Sequence, residues 1–354
     1  MQSSTKGRSQ VHTELTRPSP LLDAHGQLAQ VGWSRQPLLD CNLEQLHRGP
    51  LGLLRRLRIK RWDYYALFTP QRFFSTTIAD LGYAGNIFVY TLDFTSGALH
   101  EEGVVIPLGR GITLERNSTE GVASFTSPKL SVRFEASPHE RWVRVNWPGF
   151  HGGRGIAADV RLRCAPAHES MNIVIPMGRG QFYANTKINC LPAEGWLRYG
   201  DVHEELRPEH SLGALDWGRG VWPYRSFWNW ASASGFLPGG GTIGLNLGCG
   251  FGDLRQATEN AVIVNGRIHK LGAVQFAYRP EALMQPWRFV DDADRLELTF
   301  TPFTQRTART NLGLIFSEVH QLFGRYNGRA LLDDGNSLEI RDLIGFAEEH
   351  RARW

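Results

Sequence analysis

The sequence predicts an all-β protein built from antiparallel strands. Runs of β-branched and aromatic residues recur at short intervals, and several are joined by dipeptides that favour tight hairpins. The 354 residues include 38 glycines and few stretches with helical periodicity. A chain of this length exceeds one ordinary core, so we expect two domains or one large β domain.

Several strand pairs are visible directly. "RFFSTTIADL" and "NIFVYTLDF" are separated by "GYAG", and "LSVRFEASPHERWVRVNW" alternates on both sides of the turn-like "SPHE". The dipeptides Asn265-Gly266 and Asp334-Gly335 each lie between apolar runs. Both predict two-stranded hairpins.

Two segments are helix candidates. The C-terminal "LIGFAEEHRARW" places two glutamates ahead of two arginines, which suits the dipole of a short terminal helix. The basic "LGLLRRLRIKRW", residues 51–62, predicts a connecting helix or loop. The alternative for this stretch is peripheral contact with an anionic membrane surface.

Composition excludes several classes of function. Lys and Arg number 39 against 35 Asp and Glu, a net charge of +4, which gives no argument for nucleic-acid binding. We expect no export signal and no integral membrane segment, because the N-terminus is polar and no run of eighteen apolar residues occurs. Dispersed cysteines without Cys/His ligand spacing predict reduced thiols, a cytoplasmic location, no metal site and no cofactor.

The stretch "LDWGRGVWPYRSFWNW" holds four of the eleven tryptophans around one acid, Asp216. A carboxylate among indoles is costly to desolvate unless it is paired or neutralised. One interpretation is an aromatic-lined pocket with a functional acid. The other is a brace in which Asp216 pairs with Arg219 or Arg225 and the tryptophans form a core.

The alternation of side chains along the predicted strands identifies further candidate site residues. If "FWNWASASG" is a strand, Trp228 and Trp230 share one face and Asn229 lies on the other. In "TIGLNLGCG", Asn246 is flanked by glycines on its own face, which suits a cavity wall or, equally, a face covered by another segment. Glu259 precedes the strand "AVIV" and is a candidate for the same cavity, although carboxylates at strand starts are usually solvated.

The segments "ELTRPSPLLD", "VGWSRQPL", "KRWDYYALFTP", "LDWGRGVWPY", "WNWASASG", "GLNLG" and "SEVHQLFGRY" resemble an uncharacterised family, domain of unknown function 2804. A more remote likeness is informative, because "ALDWGRGVW" is similar to the Asp-His-x-Trp-Gly signature of the carotenoid hydratase family. That resemblance implies two consecutive lipocalin-like β-barrels and an aspartate that protonates an alkene before water captures the cation. It carries over to Asp216 alone, since Trp217 stands where the signature has histidine.

Together these observations predict an N-terminal arm (1–30), a first lipocalin-like antiparallel β-barrel or sandwich (31–200) and a second one with a C-terminal helix (201–354). The predicted function is binding of a hydrophobic small molecule, such as a lipid or isoprenoid, with or without cofactor-independent acid–base catalysis. A desolvated Asp216 would then hold a proton near neutral pH, and indole faces would stabilise a cation. The predicted site comprises Asp216 as proton donor with Trp217, Trp222, Trp228, Asn229, Trp230, Asn246 and Glu259 as binding residues. A carrier without turnover and a purely structural role are the alternatives.

Overall fold

The computed structural model describes residues 12–47 and 55–354, and most of these residues lie in strands. The strands up to residue 221 are β1 (Ser19–Pro20), β2 (Gly32–Ser34), β3 (Leu39–Asp40), β4 (Ile59–Phe68), β5 (Arg72–Asp80), β6 (Ala84–Asp93), β7 (Leu99–Pro107), β8 (Gly121–Thr126), β9 (Ser131–Ser137), β10 (Glu140–Trp147), β11 (Ile156–Arg163), β12 (Met171–Gly178), β13 (Gln181–Tyr199), β14 (Val202–Leu206) and β15 (Leu212–Val221). The later strands are β16 (Arg225–Phe236), β17 (Thr242–Cys249), β18 (Ala261–Val264), β19 (Arg267–Lys270), β20 (Val274–Ala277), β21 (Trp287–Asp291), β22 (Leu296–Asn311), β23 (Phe316–Leu331) and β24 (Ser337–Arg353). Helical structure in the described part of the chain is confined to short turns, at Leu43–His47, 55–56 and Phe150–Gly153.

The strands form two large curled sheets. The first has thirteen strands, with the order β7-β6-β5-β4-β15-β13-β11-β10-β9-β8, while β12 and β14 pair with β13 and β2 pairs with β12. The second has nine strands in the order β19-β18-β17-β16-β24-β23-β22-β21-β20. Neighbouring strands in both sheets run antiparallel throughout the described residues, so the predicted all-β antiparallel class is confirmed.

The predicted hairpins are present. β9 and β10 pair across "SPHE", and β23 pairs with β24 across the turn that contains Asp334-Gly335. Asn265 and Gly266 join β18 to β19 with φ angles of 51° and 73°. Positive φ at both positions matches the right-handed twist of the flanking strands, and Asn and Gly tolerate it best.

The predicted C-terminal helix is wrong, because the segment is the long strand β24, which pairs with both β16 and β23. Its two glutamates are buried on opposite faces. Glu348 accepts a hydrogen bond from the Trp228 indole (3.2 Å), and Glu349 accepts one from the Tyr278 hydroxyl. Burial on both faces and ladder pairing on both edges override the local helical pattern.

The basic segment also ends in a strand. Residues 51–54 lie outside the described part, and Ile59–Trp62 belong to β4. Lys60 is fully buried and donates to the carbonyl oxygen of Leu81 (2.6 Å). The predicted helix or loop therefore cannot extend to residue 62, and the membrane contact stays a prediction.

The change from one sheet to the other falls between Val221 and Arg225. β15 lies in the first sheet, between β4 and β13, although it follows the predicted boundary at residue 200. That boundary stays a prediction about domains. Within the predicted N-terminal arm, Leu21 and Leu22 are buried in the core of the first sheet.

The buried apolar side chains of the described residues form four clusters. One fills the inside of the first sheet, another fills the inside of the second, and two contain residues of both sheets. We call the last of these, which contains Phe73, the meeting layer. At the meeting layer, Phe73 of the first sheet contacts Phe323 and Phe346 of the second, with ring centroids 4.8 and 6.1 Å away. This layer holds the two sheets in one register and so positions the polar groups buried beside it.

Phe73→Ala tests the meeting layer. Phe73 is completely buried, and its loss leaves a cavity, so we expect the free energy of unfolding to fall by about 3–5 kcal/mol. Val105→Ala is the control, because Val105 is 72% exposed and its truncation should change stability by less than about 0.5 kcal/mol. Equal urea midpoints for the two variants would contradict the packing described here.

Candidate functional site

Asp216 lies on β15 with its carboxylate directed at the second sheet. Asn185 and Lys187 approach it from the paired strand β13, and Trp62 approaches from β4. Oδ1 accepts hydrogen bonds from Asn185 Nδ2 (2.6 Å) and Trp62 Nε1 (3.2 Å), and Oδ2 lies 3.4 Å from Lys187 Nζ. Three donors therefore converge on one buried carboxylate.

A glycine makes room for one of these donors. Gly218 is paired directly with Trp62 across β15 and β4, and a Cβ atom at Gly218 would lie 2.1 Å from the Trp62 ring. Any larger residue would displace the indole. The glycine in "DWGRG" therefore permits the Trp62 hydrogen bond to Asp216.

Lys187 connects Asp216 to a second carboxylate. Its Nζ lies 3.6 Å from Glu259 Oε1 and 3.7 Å from the centre of the Trp230 ring. Both Lys187 and Glu259 are buried, at 4% and 1% exposure. The Glu259 carboxyl fits because Gly248 has no side chain, since a Cβ there would lie 2.2 Å from Oε1. We call Asp216, Lys187 and Glu259 the acid–lysine cluster.

Burial raises the pKa of the Glu259 carboxyl; Lys187 opposes this rise, and the charge of Asp216 adds to it. A protonated Glu259 would leave one positive and one negative charge in the cluster, the arrangement that is least costly to bury. Glu259 Oε2 has no hydrogen-bond partner among the described residues. A protonated Oε2 would be a free donor.

The structure brings four of the predicted site residues together. Trp230 Nε1 donates to Asn246 Oδ1 (2.9 Å), and Asn246 Nδ2 donates to the carbonyl oxygen of Glu259 (2.7 Å). Asp216, Trp230 and Asn246 also line one cavity of about 10 Å³. This volume is near the minimum that holds one water molecule.

The other four predicted residues lie elsewhere. Trp217 points from the opposite face of β15 into the first sheet. Trp222 and Trp228 belong to a separate aromatic cluster, in which Trp222 lies 6.0 Å from the Trp62 ring. Asn229 lies on the inner face of the second sheet, where it donates to the Tyr278 hydroxyl (3.1 Å).

The predicted structural ion pair between Asp216 and Arg219 or Arg225 is wrong, because Asp216 has a different partner. Arg219 pairs with Asp63 at 2.8 Å on the opposite face of β15, and Arg225 is exposed. Asp216 pairs instead with Lys187, which sequence reasoning did not identify. Lys187 is 29 positions away, inside an ordinary-looking strand, and only the β13–β15 register places it opposite Asp216.

A larger cavity of about 200 Å³ lies on the other side of β13 and β15. The N-terminal segment and the loop at Asn117–Thr119 form part of its wall, and it is partly open to solvent. Its walls are Leu15, Leu21, Gly32, Ser34, Pro37, Leu38, Leu39, Asp40, Cys41, Asn117, Ser118, Thr119, Asn172, Ile173, Val174, Ala184, Asn185, Thr186 and Trp217.

One buried polar atom in this wall, the indole nitrogen of Trp217, lacks a partner within the described residues. Asn185 Oδ1 also lacks one there, but its side chain lies on the other face of β13, where Nδ2 donates to Asp216. Sequence reasoning missed Asn185, because nothing in "YANTKIN" distinguishes it from a strand asparagine.

The family model described as Domain of unknown function (DUF2804) matches residues 12–354. The chain belongs to the DUF2804 family. No curated protein matches it. A crystal structure assigned as an AttH from Nitrosomonas europaea is similar at 12% identity, with 82% of the DUF2804 chain and 92% of that chain covered and a TM-score of 0.45. Kievitone hydratase from Nectria haematococca is similar at 10% identity, with 83% and 88% covered and a TM-score of 0.42.

Two features are absent from the described part of the chain. Within residues 12–47 and 55–354, no three His, Cys, Asp or Glu side chains of the DUF2804 chain converge as a metal site would require. In those ranges, too, no helix has the length and apolarity needed to cross a membrane.

Glu259→Gln tests the electrostatics of the cluster. Folded Glu259 keeps its proton above the ordinary glutamate pKa of 4.5, so unfolding releases a proton in that window. The stability of the unmodified protein should therefore fall relative to Glu259→Gln as pH rises from 4.5 through the higher folded pKa of Glu259.

Urea unfolding at a series of pH values measures this difference. Glu205→Gln is the control, since this side chain is 72% exposed and its replacement should leave the pH dependence unchanged. A constant stability difference between Glu259→Gln and the unmodified protein across the window would mean that folding does not shift the Glu259 pKa.

Proposed function

We propose that the protein binds a small molecule in the 200 Å³ cavity of the first sheet. The observation that carries the proposal is the unpartnered indole N–H of Trp217 in its wall. Leaving a buried donor unpaired costs about 1–3 kcal/mol, and a bound molecule that accepts this hydrogen bond removes that cost.

Size and lining define the ligand further. Cavities of about 150 Å³ hold benzene, so this one suits a molecule with a body of about ten non-hydrogen atoms. Leu15, Leu21 and Val174 supply apolar contacts. The ligand therefore combines an apolar body with a hydrogen-bond acceptor for Trp217.

A second candidate function is acid–base catalysis at the acid–lysine cluster. The observation that favours it is the buried Glu259 carboxyl with its raised pKa and unpartnered oxygen, in a cluster whose Asp216 borders a water-sized cavity. In this scheme Glu259 protonates an alkene carbon, a water molecule adds to the cation, and its surplus proton returns to a carboxylate of the cluster. Asp216 accepts hydrogen bonds from three donors, which stabilise it as a carboxylate, so the geometry favours Glu259 as the proton donor and its own carboxylate as the group that takes the surplus proton back.

Trp217→Phe tests the binding function. Phenylalanine keeps an aromatic wall but removes an N–H that has no partner among the described residues, so affinity for benzamide, a probe with an acceptor and a donor, should drop about 5- to 10-fold, while stability falls only by the packing that the smaller ring loses. Calorimetric titration and thermal unfolding of the same samples measure the two effects.

Trp230→Phe is the matched control. It removes an N–H that donates to Asn246, so stability should fall by about 1–3 kcal/mol while benzamide affinity stays unchanged. If both variants bind benzamide as the unmodified protein does, the cavity is not the binding site.

The catalytic candidate is tested on the apolar compounds recovered from the purified protein by solvent extraction. Incubation in ¹⁸O-labelled water should transfer label into them with the unmodified protein and not with Glu259→Gln, which cannot donate a carboxyl proton. Mass spectrometry detects the label. Incorporation of the label by both proteins at the same rate would mean that Glu259 takes no part in the reaction.

A further inference from the structure

Arg141 is a buried cation without a counter-ion. β10 alternates its side chains, so Arg141, Val143 and Val145 point into the first sheet while Arg144 points outward. Arg141 is 4% exposed, and neither Nε nor Nη1 has a hydrogen-bond partner in the part of the chain that the structure describes. Burying a guanidinium in this way costs several kcal/mol unless an anion joins it.

Acidic side chains lie near Arg141, but none of the described carboxylates forms an ion pair with it. Asp63, whose pKa the charge of Arg141 helps to lower against the effect of burial, pairs with Arg219 at 2.8 Å. Burial raises the pKa of the Tyr65 hydroxyl to about 12, although the charge of Arg141 and a hydrogen bond with it oppose this rise, so Tyr65 remains neutral. Glu115 and Glu120 line the same small cavity, and Glu115 accepts a hydrogen bond from the backbone N–H of Val122 (2.7 Å). Arg141 is therefore a buried cation without an ion-pair partner among the described residues.

The location of Arg141 connects it to the ligand cavity. Arg141 lines a second cavity of about 10 Å³, together with Asp63, Tyr65, Glu115, Glu120 and apolar residues. This small cavity shares Asn117, Ser118 and Trp217 with the 200 Å³ cavity. The two spaces therefore adjoin at Trp217, whose indole N–H is free.

We propose that the ligand is a small organic carboxylate whose anionic head lies against Arg141 and the Trp217 N–H, with its apolar body in the larger cavity. This inference rests on the proposed binding function and deepens it. A guanidinium presents two parallel N–H groups that match the two oxygens of a carboxylate, and such charge-assisted pairs are stronger than neutral hydrogen bonds. Trp217 adds a third donor at the junction.

Calorimetric titration with octanoate, octan-1-ol and octylamine tests the charge of the head group on a constant apolar body. Octanoate should bind about 10- to 100-fold more tightly than octan-1-ol, because a hydrogen bond to a charged group contributes more than one to a neutral group, and octylamine should bind most weakly. A separate titration with octyl phosphate distinguishes recognition of a carboxylate from recognition of a phosphate. Tighter binding of octyl phosphate than of octanoate would overturn the assignment of a carboxylate.

Arg141→Met should abolish the preference for octanoate and leave octan-1-ol affinity unchanged. Arg144→Met is the matched control on the same strand, since Arg144 lies on the outer face and is 42% exposed, and it should retain the preference. The ligand-free Arg141→Met protein should melt at the same or a higher temperature, because a solely structural arginine would lower the melting temperature on removal.

The outcomes separate the two proposals. Equal affinity for octanoate and octan-1-ol, unaffected by Arg141→Met, would overturn the proposal of a carboxylate ligand and leave the proposed binding function standing. If no probe binds and Trp217→Phe leaves the benzamide titration unchanged, both the carboxylate proposal and the proposed binding function are overturned. If Arg141→Met does not fold, Arg141→Lys keeps the charge without the two-pronged geometry and should reduce the octanoate preference; an unreduced preference contradicts bidentate recognition.

Discussion

The placement of the two sheets depends on the burial of one positive charge, that of Lys187. A lysine ammonium removed from water is costly unless opposite charges meet it at close range. Asp216 belongs to the first sheet and Glu259 lies in the segment that leads into β18 of the second, so both carboxylates reach Lys187 only when the sheets dock in the observed register. The packing of Phe73 against Phe323 supplies apolar contact between the two sheets. The ion pairs of Lys187 favour one register of the sheets over others.

Strands β13 and β15 separate two spaces of different character. On one face lies the acid–lysine cluster, with room for about one water molecule, and on the other lies a cavity large enough for a small organic molecule. Asn185 lies on the side of the cluster, where its Nδ2 donates to Asp216, and Trp217 on the opposite face lines the larger cavity.

This separation bears on the choice between a carrier and an enzyme. A cavity of small-molecule size and the unpartnered indole N–H in its wall support binding, whereas the titratable groups suited to proton transfer lie behind the wall of that cavity. Catalysis at the cluster requires a substrate on the inter-sheet side. Binding requires only the first sheet and its N-terminal cover.

The sequence by itself determined the antiparallel β class, the hairpins and part of the site. Period-2 alternation and the Asn265-Gly266 turn are local signals, and neighbouring residues alone decide them. The alternation of side chains along a strand also predicts that Trp230 and Asn229 lie on opposite faces of the sheet. The glycines on either side of Asn246 predict a face on which another group packs closely. The tertiary structure alone decided that the C-terminal segment is a strand, because its helical pattern yields to ladder bonds with β16 and β23. It alone decided that Lys187 and Asn185 face Asp216, that Trp217 faces away from it, and that Arg141 has no ion-pair partner among the described residues. These relations depend on the register between strands distant in sequence, and register is set by packing across the whole sheet.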